Sequence, residues 1–308
     1  MQVWSFVDGR WCEGDADGAA LRWYDIVCHP EELQALARRY HLHPLAVEDC
    51  VSLLPHAPKV DDFGDYIFVV VQALDRAEPQ PRFEELDTFV GQDFVITYRD
   101  RGVPEVAAVA GAMREGLALR GGADGLLYEL LDRVVDAILP RINDIADRVD
   151  EIQELVLAGS PNVQPYSMVK LRANAGRVRR VLSQQLLVVQ RLSRGEFKVI
   201  TPPNQVYFRD VFDHLVRIDL ALEGVREDAE VSLSTYLSSL NNRLSEVMKV
   251  LSVVAALALP ATVISGIFGT NFENVPGLQS NWGFAFMIGA MAAVAGGMAY
   301  YFRRRGWF

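Results

Sequence analysis

Two stretches of twenty residues carry no charge at all: Val250–Gly269 (VLSVVAALALPATVISGIFG) and Gly283–Phe302 (GFAFMIGAMAAVAGGMAYYF). At about 1.5 Å of rise per residue, roughly 20 apolar residues match a bilayer core of about 30 Å. A helix in a soluble core seldom runs that far without a polar face. The expectation is an integral membrane protein whose last sixty residues hold a two-helix transmembrane hairpin. Both stretches lie far from the N-terminus, where a signal peptide would sit.

The flanks predict orientation. Lys249 precedes the first stretch, and Arg303, Arg304 and Arg305 follow the second, whereas the connection Thr270–Trp282 has one Glu and no Lys or Arg. Positive charge stays on the cytoplasmic side, so both termini are expected in the cytoplasm of a cell inner (plasma) membrane. Trp282, Tyr300, Tyr301 and Trp307 stand where interfacial aromatics are expected.

The residues before Val250 suffice for one or two domains with real cores. A net charge of −10 argues against nucleic acid as a partner and suits a protein that gathers cations. Cys12, Cys28 and Cys50 have no CxxC spacing, and the five histidines, His41 and His43 among them, form no ligand pattern with them. Neither structural zinc nor disulfides are expected. No nucleophile elbow, phosphate loop or HExxH motif suggests an enzyme, and no organic cofactor is implied.

Residues 1–102 read as a cytoplasmic α+β domain. MQVWSFVDGRW and LRWYDIVCH are strand-like across the turn CEGDADGAA, EELQALARRYHLHPLAVEDCV is helical, and YIFVVVQAL and LDTFVGQDFVITYR are again strand-like. A helical region follows over 103–205, with helices expected from Val103 to Gly116, Asp124 to Leu157 and Pro165 to Arg194. A stalk helix over 206–249 then meets no breaker before Pro260 and continues into the membrane segment 250–269. A lone helix of that length lacks stability without lateral partners, which predicts an oligomer. The external loop 270–282, the second membrane helix 283–302 and the basic tail 303–308 complete the chain.

Charge is uneven along these helices. Asp124–Glu154 holds nine acidic residues against three arginines, and the balance reverses between Lys170 and Lys198. Solvated faces with inter-helix salt bridges are one reading. An acidic antenna for cations near a pore mouth is the other.

On the first membrane helix, Ser245, Met248, Ser252, Ala255, Leu259, Thr262, Gly266 and Gly269 follow alternating spacings of three and four, with Leu251 on the stripe's edge. Lipid does not favour Ser, Thr and Gly, so the stripe either packs helices or lines water. In a symmetric ring it would make a narrow pore. Gly269, Thr270 and Asn271 follow at membrane depth, where a loop must be protein-buried or line a mouth. The Asn271 amide offers a neutral oxygen of the kind a hard cation seeks.

The runs YFRDVFDHLVRIDLALEG and YLSSLNNRLSEVMKVLSVVAALALPATVISGIFGTNFENVP, the closing YYFRRRGWF and, more loosely, PKVDDFGDYIFVVVQAL together resemble the CorA family of divalent-cation channels. The resemblance implies a homopentameric funnel for Mg²⁺, with Co²⁺ or Ni²⁺ as alternatives. Its Gly-Met-Asn signature stands here as Gly269-Thr270-Asn271. It implies a ring of Asn271 side chains that grips hydrated Mg²⁺, and Thr270 puts ion preference in question more than transport. It places Thr262, Leu259, Leu251 and Met248 on the pore wall, the last two as an apolar gate, and Ser245 where the family commonly has asparagine. Asp210 matches a regulatory carboxylate bridged by cytosolic Mg²⁺ to a neighbouring subunit, with Asp75 as the candidate partner. A salt bridge is the structural alternative for Asp210. A zinc transporter of the same superfamily remains open, as does a non-conducting membrane-anchored sensor or scaffold.

Overall fold

Strand and helix boundaries follow local backbone chemistry in a computed structural model of the chain. It describes residues 1–308 apart from 53, 76–80, 117–121, 159, 161–163, 271–279 and 308. Asp8 and Gly9 both have positive φ (49° and 80°), and Val7 pairs with Arg10. This two-residue turn suits the twist of antiparallel strands. It splits the expected first strand into β1 (Gln2–Val7) and β2 (Arg10–Glu13), with β3 (Leu21–Val27) on the other side of β1.

The single helix expected after β3 is two, α1 (Pro30–Tyr40) and α2 (Pro44–Val51). His41 adopts a left-handed conformation that ends α1, and Pro44 restarts the chain at a first-turn position. The His43 ring nitrogen Nδ1 accepts the Leu45 N–H at 3.2 Å. A short polar strand, β4 (Lys59–Asp62), was not foreseen. β5 (Ile67–Leu74) follows, and the LDTFVGQDFVITYR stretch folds at Gly91 into parts of β6 (Phe83–Val90) and β7 (Phe94–Arg99).

The seven strands form one sheet in the order β2-β1-β3-β7-β6-β5-β4. Only the β3–β7 pair is parallel among them. Alternation sorts the sheet's two faces. Phe68, Val70, Phe89 and Ile96 pack with Leu33, Leu36, Ala46 and Cys50 of α1 and α2. Val69, Val71, Leu86 and Val95 pack with residues of α3 (Pro104–Arg114), α4 (Ala123–Asp136), α5 (Ile138–Leu157), α6 (Pro165–Ser193) and α7 (Pro202–Phe268). The expected helix from Asp124 to Leu157 divides at Ala137 into α4 and α5.

Two compact units result, Met1–Leu233 and Ser234–Phe308. In the first, α7 buries Phe208, Val211, Leu215, Ile218, Leu222, Val225 and Ala229, at alternating spacings of three and four. In the second, α7 continues to Phe268, with Pro260 inside it, and α8 spans Gly283–Arg304. Both helices are long and apolar enough to cross a membrane, and only 6% of each apolar window is buried within the chain. The core helix of a soluble protein would be mostly covered.

A buried polar chain fastens β3 to β7. Arg99 grips both carboxylate oxygens of Asp25, Thr97 donates to Asp25 at 2.8 Å, and Trp23 Nε1 donates to Thr97 at 3.0 Å. Asp25→Ala would strand the Arg99 charge in the sheet and cost about 3–5 kcal/mol. The measurement is urea unfolding of the detergent-solubilised chain. The double change Asp25→Leu with Arg99→Met is expected to cost far less, because no charge is left unpaired.

Candidate functional site

In the second unit, the stripe of α7 lies bare. Ser245, Met248, Leu251, Ser252, Ala255, Leu259, Thr262 and Gly266 are all exposed in the single chain, with Met248 at 66% and Leu251 at 67%. Lys249, Val253, Leu257, Pro260, Ile264 and Phe268, on another face of the helix, are buried or half-buried. The covered face therefore differs from the one that carries the small and polar residues.

Two of the stripe's hydroxyls, those of Ser245 and Thr262, are satisfied by the helix itself. Ser245 Oγ donates to the Asn241 carbonyl at 2.8 Å, and Thr262 Oγ1 to the Ala258 carbonyl at 3.0 Å. Each hydroxyl thus gives its proton to the backbone and keeps its oxygen lone pairs outward, as an acceptor surface that suits a cation's water shell.

At the end of α7, Gly269 N–H donates to the Ser265 carbonyl at 2.8 Å. A Cβ on Gly269 would stand 3.1 Å from that same oxygen, a tight contact that a side chain there would have to relieve. Thr270 turns its hydroxyl back to the Ile267 carbonyl at 2.8 Å and so caps the helix. Asn271, the expected ion-binding amide, lies outside the described residues.

In the first unit, a cation-ready cluster joins α4 to α7. Asp132 and Asp136 lie one turn apart on α4, and Asp210 and His214 one turn apart on α7. Ligand atoms of Asp132, Asp136 and His214 all lie within 4.8 Å of one another. His214 Nδ1 is 3.3 Å from Asp136 Oδ1, and His214 Nε2 is 3.9 Å from Asp210 Oδ1. Asp210 is thus placed with Asp136 and His214. Asp75 sits at the end of β5, on a cavity of about 400 Å³ lined also by Arg141, Asp144, Arg148 and Lys170, outside that cluster within one chain.

Asp210 is expected from the sequence; Asp132, Asp136 and His214 are not. Their available signal was the paired spacing of four, Asp132/Asp136 and Asp210/His214, on two helical faces. The donor set mixes carboxylate oxygens with one imidazole nitrogen. Oxygen suits Mg²⁺, while the imidazole admits Co²⁺, Ni²⁺ or Zn²⁺.

The basic helix α6 faces acidic partners on α7. Arg179 reaches Asp219 at 3.0 Å and also Glu223, and Arg172 reaches Glu230 at 3.5 Å. These are inter-helix salt bridges of the plainer reading.

The fold and the sites together define a membrane protein with an acidic α/β body and an exposed, polar-striped helix that enters the bilayer. The family model described as CorA-like Mg²⁺ transporter protein matches residues 18–304, and the chain belongs to that family. It is 29% identical to the putative metal ion transporter YfjQ of Bacillus subtilis, over 94% of this chain and 91% of that protein. It is also 29% identical to the cobalt/magnesium transport protein CorA of Thermotoga maritima, over 94% of this chain and 84% of that one. The fold matches the complete structure of the CorA magnesium transporter from Methanocaldococcus jannaschii, with TM-score 0.88 and 19% identity, over 100% of this chain and 98% of that one.

Burial, then the nearby charge of Asp136, raises Asp132 from 3.8 to about 6. A raised acid favours the folded state below its ordinary value, and that contribution is lost as pH rises through about 6. A divalent ion must displace this proton, so it binds better above that value. Stabilisation of the chain by added Mg²⁺ or Co²⁺, read as a shift in thermal midpoint, is expected to grow as pH rises through about 6. Asp132→Asn should weaken cation affinity about tenfold and flatten the pH dependence.

Proposed function

We propose that the chain assembles into a homopentameric channel for hydrated divalent cations, chiefly Mg²⁺. The observation that carries this reading is the exposed α7 stripe from Ser245 to Gly266, which runs into the Gly269-Thr270 turn of a family whose model is an Mg²⁺ transporter. Five stripes around one axis would bury what a single chain leaves bare and present hydroxyl oxygens to the ion's water. The number five follows from the family resemblance.

Asn271 would hold Mg²⁺ through its first water shell at the outer mouth, since Mg²⁺ dehydrates reluctantly. Leu251 and Met248 would close the path by dewetting at the cytoplasmic end. With Arg303, Arg304 and Arg305 inside, a negative internal potential would draw the ion in by about 4.6 kcal/mol per 100 mV across the full field.

In the cytoplasmic body, a regulatory ion would sit at Asp210 with Asp132, Asp136 and His214, and Asp75 of a neighbouring subunit would be the remaining candidate partner. The ion would offset repulsion among the carboxylates and hold the closed form. Its loss at low internal Mg²⁺ would release that form. Co²⁺ and Ni²⁺ are further substrates in this reading. The imidazole of His214 favours softer ions, whereas the stripe has neither His nor Cys.

Reconstitution in liposomes tests the function. Mg²⁺ uptake is expected in the wild type and should fall at least about tenfold in Asn271→Ala, as lost transition-level binding of about 1.4 kcal/mol would give. Zn²⁺ uptake without Mg²⁺ uptake would transfer the chain to the zinc reading. Flux of neither ion would favour a non-conducting sensor or scaffold. Flux unchanged by Asn271→Ala would remove the selectivity site.

A further inference from the structure

The cytoplasmic end of α8 turns back on itself and reaches α7. Gly306 has φ +70°, its N–H donates to the Arg303 carbonyl at 3.1 Å, and Trp307 N–H donates to the Phe302 carbonyl at 3.0 Å. This left-handed cap satisfies carbonyls that the helix end would otherwise leave open. It lays the Trp307 ring on Phe302, with centroids 5.4 Å apart and planes at 21°. It also presents the Gly306 carbonyl to Lys249, whose Nζ donates to it at 3.1 Å. The same ammonium stands 5.9 Å from the centre of the Trp307 ring.

The site is electrostatically sensible despite the neighbouring arginines. The carbonyl end of a helix carries partial negative charge, and a cation there is favoured. The ring face of Trp307 adds a second attraction for the ammonium. Arg305 is engaged separately, 5.4 Å from the Tyr301 ring centre.

The position of Lys249 gives the contact its consequence. It directly follows Met248 and lies two residues before Leu251. About 100° of helical rotation per residue turns it off the Met248 stripe. One level of α7 therefore carries the gate residues on one face and a tie to α8 on another.

We propose that Lys249, Gly306 and Trp307 form a latch that fixes α7 to the cytoplasmic end of α8 at the level of Met248 and Leu251 and so keeps that constriction narrow. This rests on the reading of Met248 and Leu251 as the gate. Outward movement of α7 there must either carry the end of α8 with it or break the Lys249 bond. Lys249 acts as a positioning residue and touches no ion.

The test uses the full chain in liposomes loaded with saturating Mg²⁺ and measures Mg²⁺ uptake. Lys249→Met removes the donor and keeps the length, and Lys249→Arg keeps a donor. Gly306→Val opposes the left-handed turn, whereas Gly306→Asn tolerates it. A Cβ at Gly306 meets nothing within 4 Å, so backbone conformation rather than a clash separates these two. Lys249→Met and Gly306→Val are expected to raise uptake about three- to tenfold, the scale of one hydrogen bond's net contribution at an exposed position. Lys249→Arg and Gly306→Asn should stay within about twofold of wild type, since the bond is kept.

Unchanged or reduced uptake in Lys249→Met overturns the latch, and it decides alone if Gly306→Val fails to assemble. Leu251→Ser separates the gate from the latch. If it raises leak while the latch variants do not, the latch falls and the gate stands. If it too leaves uptake unchanged, the gate reading falls.

Discussion

A long helix needs company along its whole length, and α7 has it only in part. Isolated helices gain too little from their own hydrogen bonds to persist, and burial of one face supplies the rest. From Phe208 to Ala229 that burial is internal, against the body of the first unit. From Leu237 through Leu240, Leu244, Val247, Met248 and Leu251 the apolar side chains are exposed. Each would gain about 2 kcal/mol on full burial. The channel reading resolves this in one step: copies of the same chain supply the missing surface, and their polar stripes meet where a path for ions would run.

Polar groups in each half answer the same physical demand, that buried or membrane-level dipoles find partners. In the first unit Asp25, Thr97, Trp23 and Arg99 form a hydrogen-bonded chain inside the sheet, with the Arg99 Nε alone of its guanidinium nitrogens left without a partner among the described residues. In the second unit Ser245, Thr262 and Thr270 spend their protons on helix carbonyls. The Asp132, Asp136, Asp210 and His214 group differs, since three carboxylates gather there around one imidazole. Burial and mutual repulsion meet on Asp132, which is where a divalent ion would have most to relieve.

What could be read from the sequence tracks how local its cause is. The membrane helices were legible because a run without charge is a property of composition, and α7 ends at Phe268 against an expected Gly269. The stripe was legible because helical periodicity needs no tertiary knowledge. The break at Ala137 was hidden by apolar spacing that continues from α4 to α5, although Pro140, which cannot bond the Asp136 carbonyl, marks it. The Asp8-Gly9 turn hid in a segment that read as one strand, and the polar Lys59–Asp62 edge strand offers little apolar pattern. His41 ended α1 by adopting a conformation that few side chains signal. Of the cluster, only Asp210 was expected, through a family resemblance; His214 stands one turn along the same helix, while Asp132 and Asp136 come from α4, far away in the chain. The Gly306 contact was not legible at all, because a backbone carbonyl leaves no mark in sequence.

The central claim is that the Ser252, Ala255, Leu259 and Thr262 face of α7 lines the ion path. The direct measurement is water accessibility along this helix. Single cysteines at 252, 254, 255, 257, 259, 262 and 263 would be placed in a chain with Cys12, Cys28 and Cys50 replaced by serine, then treated in liposomes with a membrane-impermeant thiol reagent while Mg²⁺ uptake is followed. The account predicts modification and loss of uptake at 252, 255, 259 and 262, and protection at 254, 257 and 263. Equal reactivity all round the helix, or protection of the stripe with modification of the other face, would contradict it.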